Sequence, residues 1–187
     1  MNARMMMRSA QKTLLFAVLT LVPVLAMGQA PNADWQARLR HELPLLGHRN
    51  WIAVVDSAYP LQTSPGVETI ETNADHIEVV RAVLQQLAQS KHVRPVIFTD
   101  AELEAVPESD AKGVTAYRES LNSVLKDEDV QSLPHEQIIA RLDEAGKTFH
   151  VLVLKSTLTI PYTSVFMRLD CGYWNDEQEK RLRERMK

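Results

Sequence analysis

The sequence predicts a layered α/β domain in which at least part of the sheet is parallel. Three observations carry that expectation. Residues 51–55, 96–98 and 149–154 are short, nearly continuous apolar runs, the pattern of strands buried on both faces. The stretches between them, 74–89 most clearly, repeat apolar residues at three- and four-residue steps. Runs and helical stretches alternate along the chain, as they do when helices cover a parallel sheet.

In chain order, 34–46 reads as a helix carrying Trp35, Leu39, Leu43 and Leu46, with Asn32 or Asp34 as its cap and an irregular last turn at Pro44. The strand at 51–55 follows and ends at Asp56. Pro60, Ser64, Pro65 and Gly66 mark 57–66 as loop, and 67–71 alternates as a short strand. Thr72 or Asn73 then caps a helix over 74–89, whose stripe of Ile77, Val80, Val83, Leu84 and Leu87 faces a core. Residues 93–99 form the next strand, closed by Asp100. The acid-rich segment 101–132 reads as a solvated excursion around a helix at 115–125. A further helix over 133–145 starts at Pro134. The strand at 149–154 leads through a turn at 156–161 to a fourth strand-like run at 164–169, and the charged tail, 175–187, reads as a frayed terminal helix.

Residues 1–28 are a different kind of segment. They carry Arg4, Arg8 and Lys12, no acid, an apolar stretch over 14–26 broken only by Thr20 and Pro23, and small residues at Ala26 and Gly28. That order is the order of a cleavable secretory signal, with cleavage expected before Gln29. The stretch falls short of the roughly 20 residues that span a bilayer, so no stable membrane insertion is expected after cleavage. A domain over 29–174 and the tail then remain, in the periplasm or secreted. The 187 residues hold 21 basic and 24 acidic groups, a net charge of −3; without the leader's three basic residues the balance is −6. An acidic domain without a basic block is a poor partner for nucleic acid or anionic lipid. Cys171 is the sole cysteine, which excludes an internal disulfide and a cysteine-rich zinc site.

Two segments hold candidate chemistry. His48 sits in the turn entering the first apolar strand and Asp56 at its carboxyl end, where open α/β sheets bind ligands. Imidazole both takes and gives a proton near neutrality, and a carboxylate accepts hydrogen bonds from sugar hydroxyls. Tyr162 follows Pro161 and precedes the last strand, a placement that holds a phenol rigidly at a strand entry. Each residue also has a plainer reading from spacing alone: a surface or capping histidine, a turn-capping aspartate, a rim tyrosine. His150, at the start of a strand, is placed as a further contact in the same crevice, against the reading of an edge histidine. A zinc site from His48, His76, His150 and a carboxylate lacks short ligand spacing, and neither a metal nor another cofactor is expected.

Gly47-His48, Asp56 eight residues on, then Ala58 and Pro60, together with the late Pro161-Tyr162 before a strand, resemble the D-ribose pyranase / L-fucose mutarotase (RbsD/FucU-like) family. The resemblance implies a three-layer α/β/α domain with a largely parallel or mixed sheet, and a homo-oligomer whose neighbouring subunit completes a pocket for a free monosaccharide. It implies cofactor-free exchange of sugar ring forms. By position, His48 matches the family's catalytic histidine, Asp56 its substrate-binding aspartate and Tyr162 its substrate-binding tyrosine, to which we assign a catalytic hydrogen bond as well. Ser164 stands where the family carries asparagine and is taken as a substrate contact. The expectation is an exported pyranase or mutarotase; the alternative is a non-catalytic monosaccharide-binding protein on the same fold.

Overall fold

Among residues 32–187, which the computed structural model describes, six strands form one mixed sheet: β1 (Trp51–Val55), β2 (Val67–Glu71), β3 (Val93–Asp100), β4 (Val130–Leu133), β5 (Val151–Lys155) and β6 (Val165–Cys171). Their order across the sheet is β2-β5-β1-β6-β3-β4. β5 pairs in parallel with β1 and β2, and β3 in parallel with β4, while β6 is antiparallel to both β1 and β3. Five strands therefore run one way and a single reversed strand lies between them. The carboxyl ends of β1 to β5 and the amino end of β6 share one edge of the sheet. The leader and its cleavage site lie outside the described residues.

Helices α1 (Asn32–Glu42), α2 (His76–Ala88) and α3 (Val114–Leu125) cover one face. Trp35, Leu39, Val80, Val83, Val114 and Leu121 pack there on Ile52, Val54, Leu152, Leu154 and Met167. Helix α4 (His135–Ala145) covers the other face, where Ile138 and Leu142 meet Trp51, Ala53, Val153, Phe98 and Phe166. The result is the expected three-layer α/β/α domain. α5 (Asp176–Arg185) buries nothing, yet it is a regular helix rather than a frayed one, closed at its start by a reciprocal Asn175–Gln178 capping box.

Several boundaries differ from the sequence expectation, each for a local reason. The first helix stops at Glu42 and continues as a 3-10 turn, Leu43–Leu45, because Pro44 supplies no amide hydrogen for the α-helical ladder. The cap of α2 is Asp75, whose Oδ1 accepts from the amides of Ile77 and Glu78 at 2.9 and 3.2 Å. Thr72 is otherwise engaged, donating to the carbonyl of Lys155 at 2.9 Å. β5 starts at Val151 because the Phe149 amide bonds back to Ala145 at 2.7 Å and closes α4. The segment 101–132 holds β4, a strand without an apolar run: an edge strand, bonded among the described residues to β3 alone, needs no buried face on either side.

Candidate functional site

The carboxyl edge of the sheet carries a cleft of about 400 Å³, lined by the loop after β1, the end of β3, the start of α4 and the loop entering β6. Asp56, Tyr162 and Ser164 all line it. Oδ1 of Asp56 accepts the Ala58 amide at 2.7 Å, an aspartate turn that holds the carboxylate at the strand end. Tyr162 has φ +57, a left-handed conformation costly for a side chain with a Cβ, and its ring stands edge-on to His135 with centroids 5.7 Å apart. Such strain persists where the surroundings hold it, and cleft walls are common places for it.

The surroundings are specific. Tyr117 of α3 donates its hydroxyl hydrogen to the Thr163 carbonyl at 2.8 Å, so its oxygen accepts from Nδ1 of His76 at 3.1 Å. Thr163 donates in turn to the Ile160 carbonyl at 2.9 Å. The loop between β5 and β6 is thus pinned on both sides of Tyr162. The loop after β1 is tied in the same way: Ser57 donates its amide to Leu158 at 2.8 Å, Lys155 its ammonium to the Tyr59 carbonyl at 2.9 Å, and Ser156 its hydroxyl to Val55 at 2.8 Å.

His135 and Asp100 add a pair that sequence reading passed over. Asp100 ends β3 with its side chain fully buried, and its Oδ1 lies 3.1 Å from Nδ1 of His135, the first residue of α4. Glu102 anchors the same residue, both carboxylate oxygens accepting the His135 amide at 3.0 Å. Oδ2 of Asp100 is buried without a hydrogen-bond partner among the described residues. Burial pushes Asp100 up to about 6, against the opposing pull of His135 and with help from Glu102 and Asp56. The ionised carboxylate accepts the Nδ1 hydrogen, which leaves the ring's other nitrogen, Nε2, outside this bond; the ring lines the cleft. A signal was present in Pro134-His135, a helix start, but it pointed to a site only once a strand was known to precede it.

Two predicted site residues lie elsewhere in the same chain. His48 and His150 each precede a strand, β1 and β5, and these two strands are parallel, so both histidines sit at the amino edge. Five residues of strand at about 3.3 Å each separate them from the cleft. The placing of His150 in the same crevice is therefore corrected: its Nε2 instead faces Glu42 and Glu68, at 4.0 and 3.8 Å. His48 does not meet Asp56 or Tyr162 within one chain; it is exposed in the turn before β1.

The buried titratable groups behind the cleft predict a pH signature. Burial pushes His76 down to about 4, so the unfolded chain takes up this proton first and stability falls as pH drops from about 6.5 towards 4. Asp100 acts oppositely: the native state holds its proton up to about 6, so stability falls as pH rises from about 4 to 6. The two slopes offset one another over a shared window. Asp100→Asn removes one of them and is expected to lose on the order of 3 kcal/mol more than the parent between pH 6.5 and 4. Urea unfolding at a series of pH values checks this, and a variant that tracks the parent throughout refutes it.

No family model and no curated protein sequence matches this chain. Solved structures do. Bacillus subtilis RbsD complexed with D-ribose is similar at 15% sequence identity and a TM-score of 0.52, over 74% of this chain and 94% of that one. FucU from Bifidobacterium longum is similar at 13% identity and a TM-score of 0.50, over 74% and 96%. At these identities the likeness is one of architecture, and together with the mixed sheet and its helical layers it establishes that the chain has the RbsD/FucU-like fold.

Proposed function

We propose that the protein is a monosaccharide ring-form isomerase, a pyranase or mutarotase working by general acid/base catalysis without a cofactor. One observation carries this reading: a histidine oriented by a buried carboxylate stands beside Asp56 and Tyr162 in a cleft of about 400 Å³, within the range of small-ligand pockets. Opening a cyclic hemiacetal removes the proton of the anomeric hydroxyl and delivers one to the ring oxygen; closing on the other face or through another hydroxyl reverses both transfers. Nε2 of His135 is the group that takes and returns the proton. Tyr162 hydrogen-bonds the ring or anomeric oxygen, and Asp56 and Ser164 hold hydroxyls.

His48 enters this reading through a second copy of the chain. A homo-oligomer that packs the amino edge of one subunit against the cleft of the next brings His48 to the sugar from outside. Export to the periplasm or medium belongs to the same proposal, with the mature chain starting at Gln29. A second reading, sugar binding without catalysis, is favoured by the separation of His48 from the cleft within one chain.

The test is two-dimensional exchange NMR on D-ribose, L-fucose, D-galactose and D-glucose with protein purified from the exported fraction. Acceleration of pyranose–furanose or anomer exchange in at least one sugar is expected, from an assembly larger than one chain by sedimentation. A sugar that binds while its exchange stays at the spontaneous rate establishes the binding reading instead.

A further inference from the structure

The amino edge of the sheet carries a second convergence of polar groups, apart from the cleft at the carboxyl edge of the same chain. Glu42 ends α1, Glu68 lies on β2 and His150 precedes β5; with His41 and Asn50 they line a cleft of about 360 Å³. Nε2 of His150 is 3.8 Å from Oε2 of Glu68 and 4.0 Å from Oε2 of Glu42, and the three atoms all lie within 4.8 Å of one another. Those separations are too long for hydrogen bonds. Arg38 takes the other oxygen of each carboxylate, its Nη2 donating to Oε1 of Glu42 at 3.4 Å and to Oε1 of Glu68. The guanidinium thus orients both side chains from outside, while the two Oε2 atoms face the imidazole. Among the described residues Oε2 of Glu42 is buried and has no hydrogen-bond partner, a costly state for a carboxylate oxygen.

We propose that Glu42, Glu68 and His150 bind a divalent metal ion of the zinc class. One imidazole nitrogen with two carboxylate oxygens, facing an open cleft, matches the nitrogen and oxygen donors zinc takes with a fourth position left free. Three atoms spaced as these are share a point about 2.5 Å or less from each, within a few tenths of an ångström of the roughly 2.0–2.2 Å of zinc bonds to nitrogen and oxygen. Small side-chain rotations close that difference. Arg38 then acts as the outer partner that fixes the ligand carboxylates. The three ligands come from the end of α1, from edge strand β2 and from the entrance to β5, so the ion clamps the first helix to the sheet. The bland alternative is an ion-pair network in which a protonated His150 and Arg38 neutralise the two carboxylates.

The purified protein, stripped with a chelator, is titrated with Zn²⁺ and separately with Co²⁺ as the spectroscopic probe. The expected result is one ion per chain, visible Co²⁺ ligand-field absorption, and a thermal midpoint raised by several degrees at saturating ion. In Glu42→Gln and in His150→Ala the affinity is expected to fall about a hundredfold, since each ligand carries a share of the binding free energy. Far-ultraviolet circular dichroism of the metal-free variants confirms that they remain folded. No stoichiometric binding by the parent, or binding that survives both substitutions, overturns the proposal; a parent that binds no metal but loses stability in His150→Ala assigns the cluster to ion pairing.

Discussion

Replacing His135 with Gln is expected to lower ring-form exchange about 10²- to 10⁴-fold while leaving sugar binding within a few-fold of the parent. The amide keeps a polar group beside Asp100 and preserves the start of α4, where Glu102 accepts the backbone hydrogen. It cannot take a proton and return it. Asp100→Asn acts one step away, because an amide in that position no longer accepts the Nδ1 hydrogen with a full charge and favours the wrong tautomer. Its signature is a changed pH profile: the inflection near pH 6 that follows Asp100 ionisation in the parent disappears. Unaltered exchange in His135→Gln would refute the dyad, and if His48→Ala alone abolished exchange, the proton carrier would be the histidine of a neighbouring copy.

Phe166→Ala is expected to cost about 3–5 kcal/mol of stability, the range for truncating a buried aromatic ring. Phe166 is fully buried on β6, the reversed strand, with Ala53 of β1 opposite on one side and Phe98 of β3 on the other. Small Ala53 makes room for the ring, and Phe98 stacks on Trp51 with centroids 5.5 Å apart. A hole there has strands bonded on both sides, so collapse is restricted and the full penalty is retained. The same strand begins just after Ser164, so the truncation is also expected to weaken sugar affinity. Denaturant unfolding measures the first effect, with Leu61→Ala, at a position 77% exposed, as a comparison expected to change stability by less than about 0.5 kcal/mol. A loss in Phe166→Ala no larger than that of the comparison would contradict this account of the core.

What was legible in the sequence follows from how strongly each residue's surroundings constrain it locally. The stripe of Val80, Val83 and Leu87 marks α2 because a helix half in water needs that period. The apolar runs of β1 and β5 mark central strands because both of their faces are covered. β4 left no such mark, since Gln131 and Ser132 sit exposed on an edge, and with β4 hidden nothing in the sequence placed His135 at the end of a strand. Asp56, Tyr162 and Ser164 could be singled out in the sequence because each adjoins a recognisable strand end, while their sharing of one cleft shows only in the fold.

Strand direction was not readable in the same way. A buried run looks alike whether its strand runs up or down, so the reversal of β6 between β1 and β3 became visible only with the pairing itself. That reversal brings the β6 entry, with Tyr162, to the carboxyl edge beside Asp56. The parallel pairing of β1 with β5 sends His48 and His150 to the other edge. Sequence alone determined the residue types, the layered α/β class and the motifs of the site. Which of those residues meet was decided by tertiary structure, because backbone hydrogen bonds between strands distant in sequence set direction and register, and these assign each strand end to one edge of the sheet.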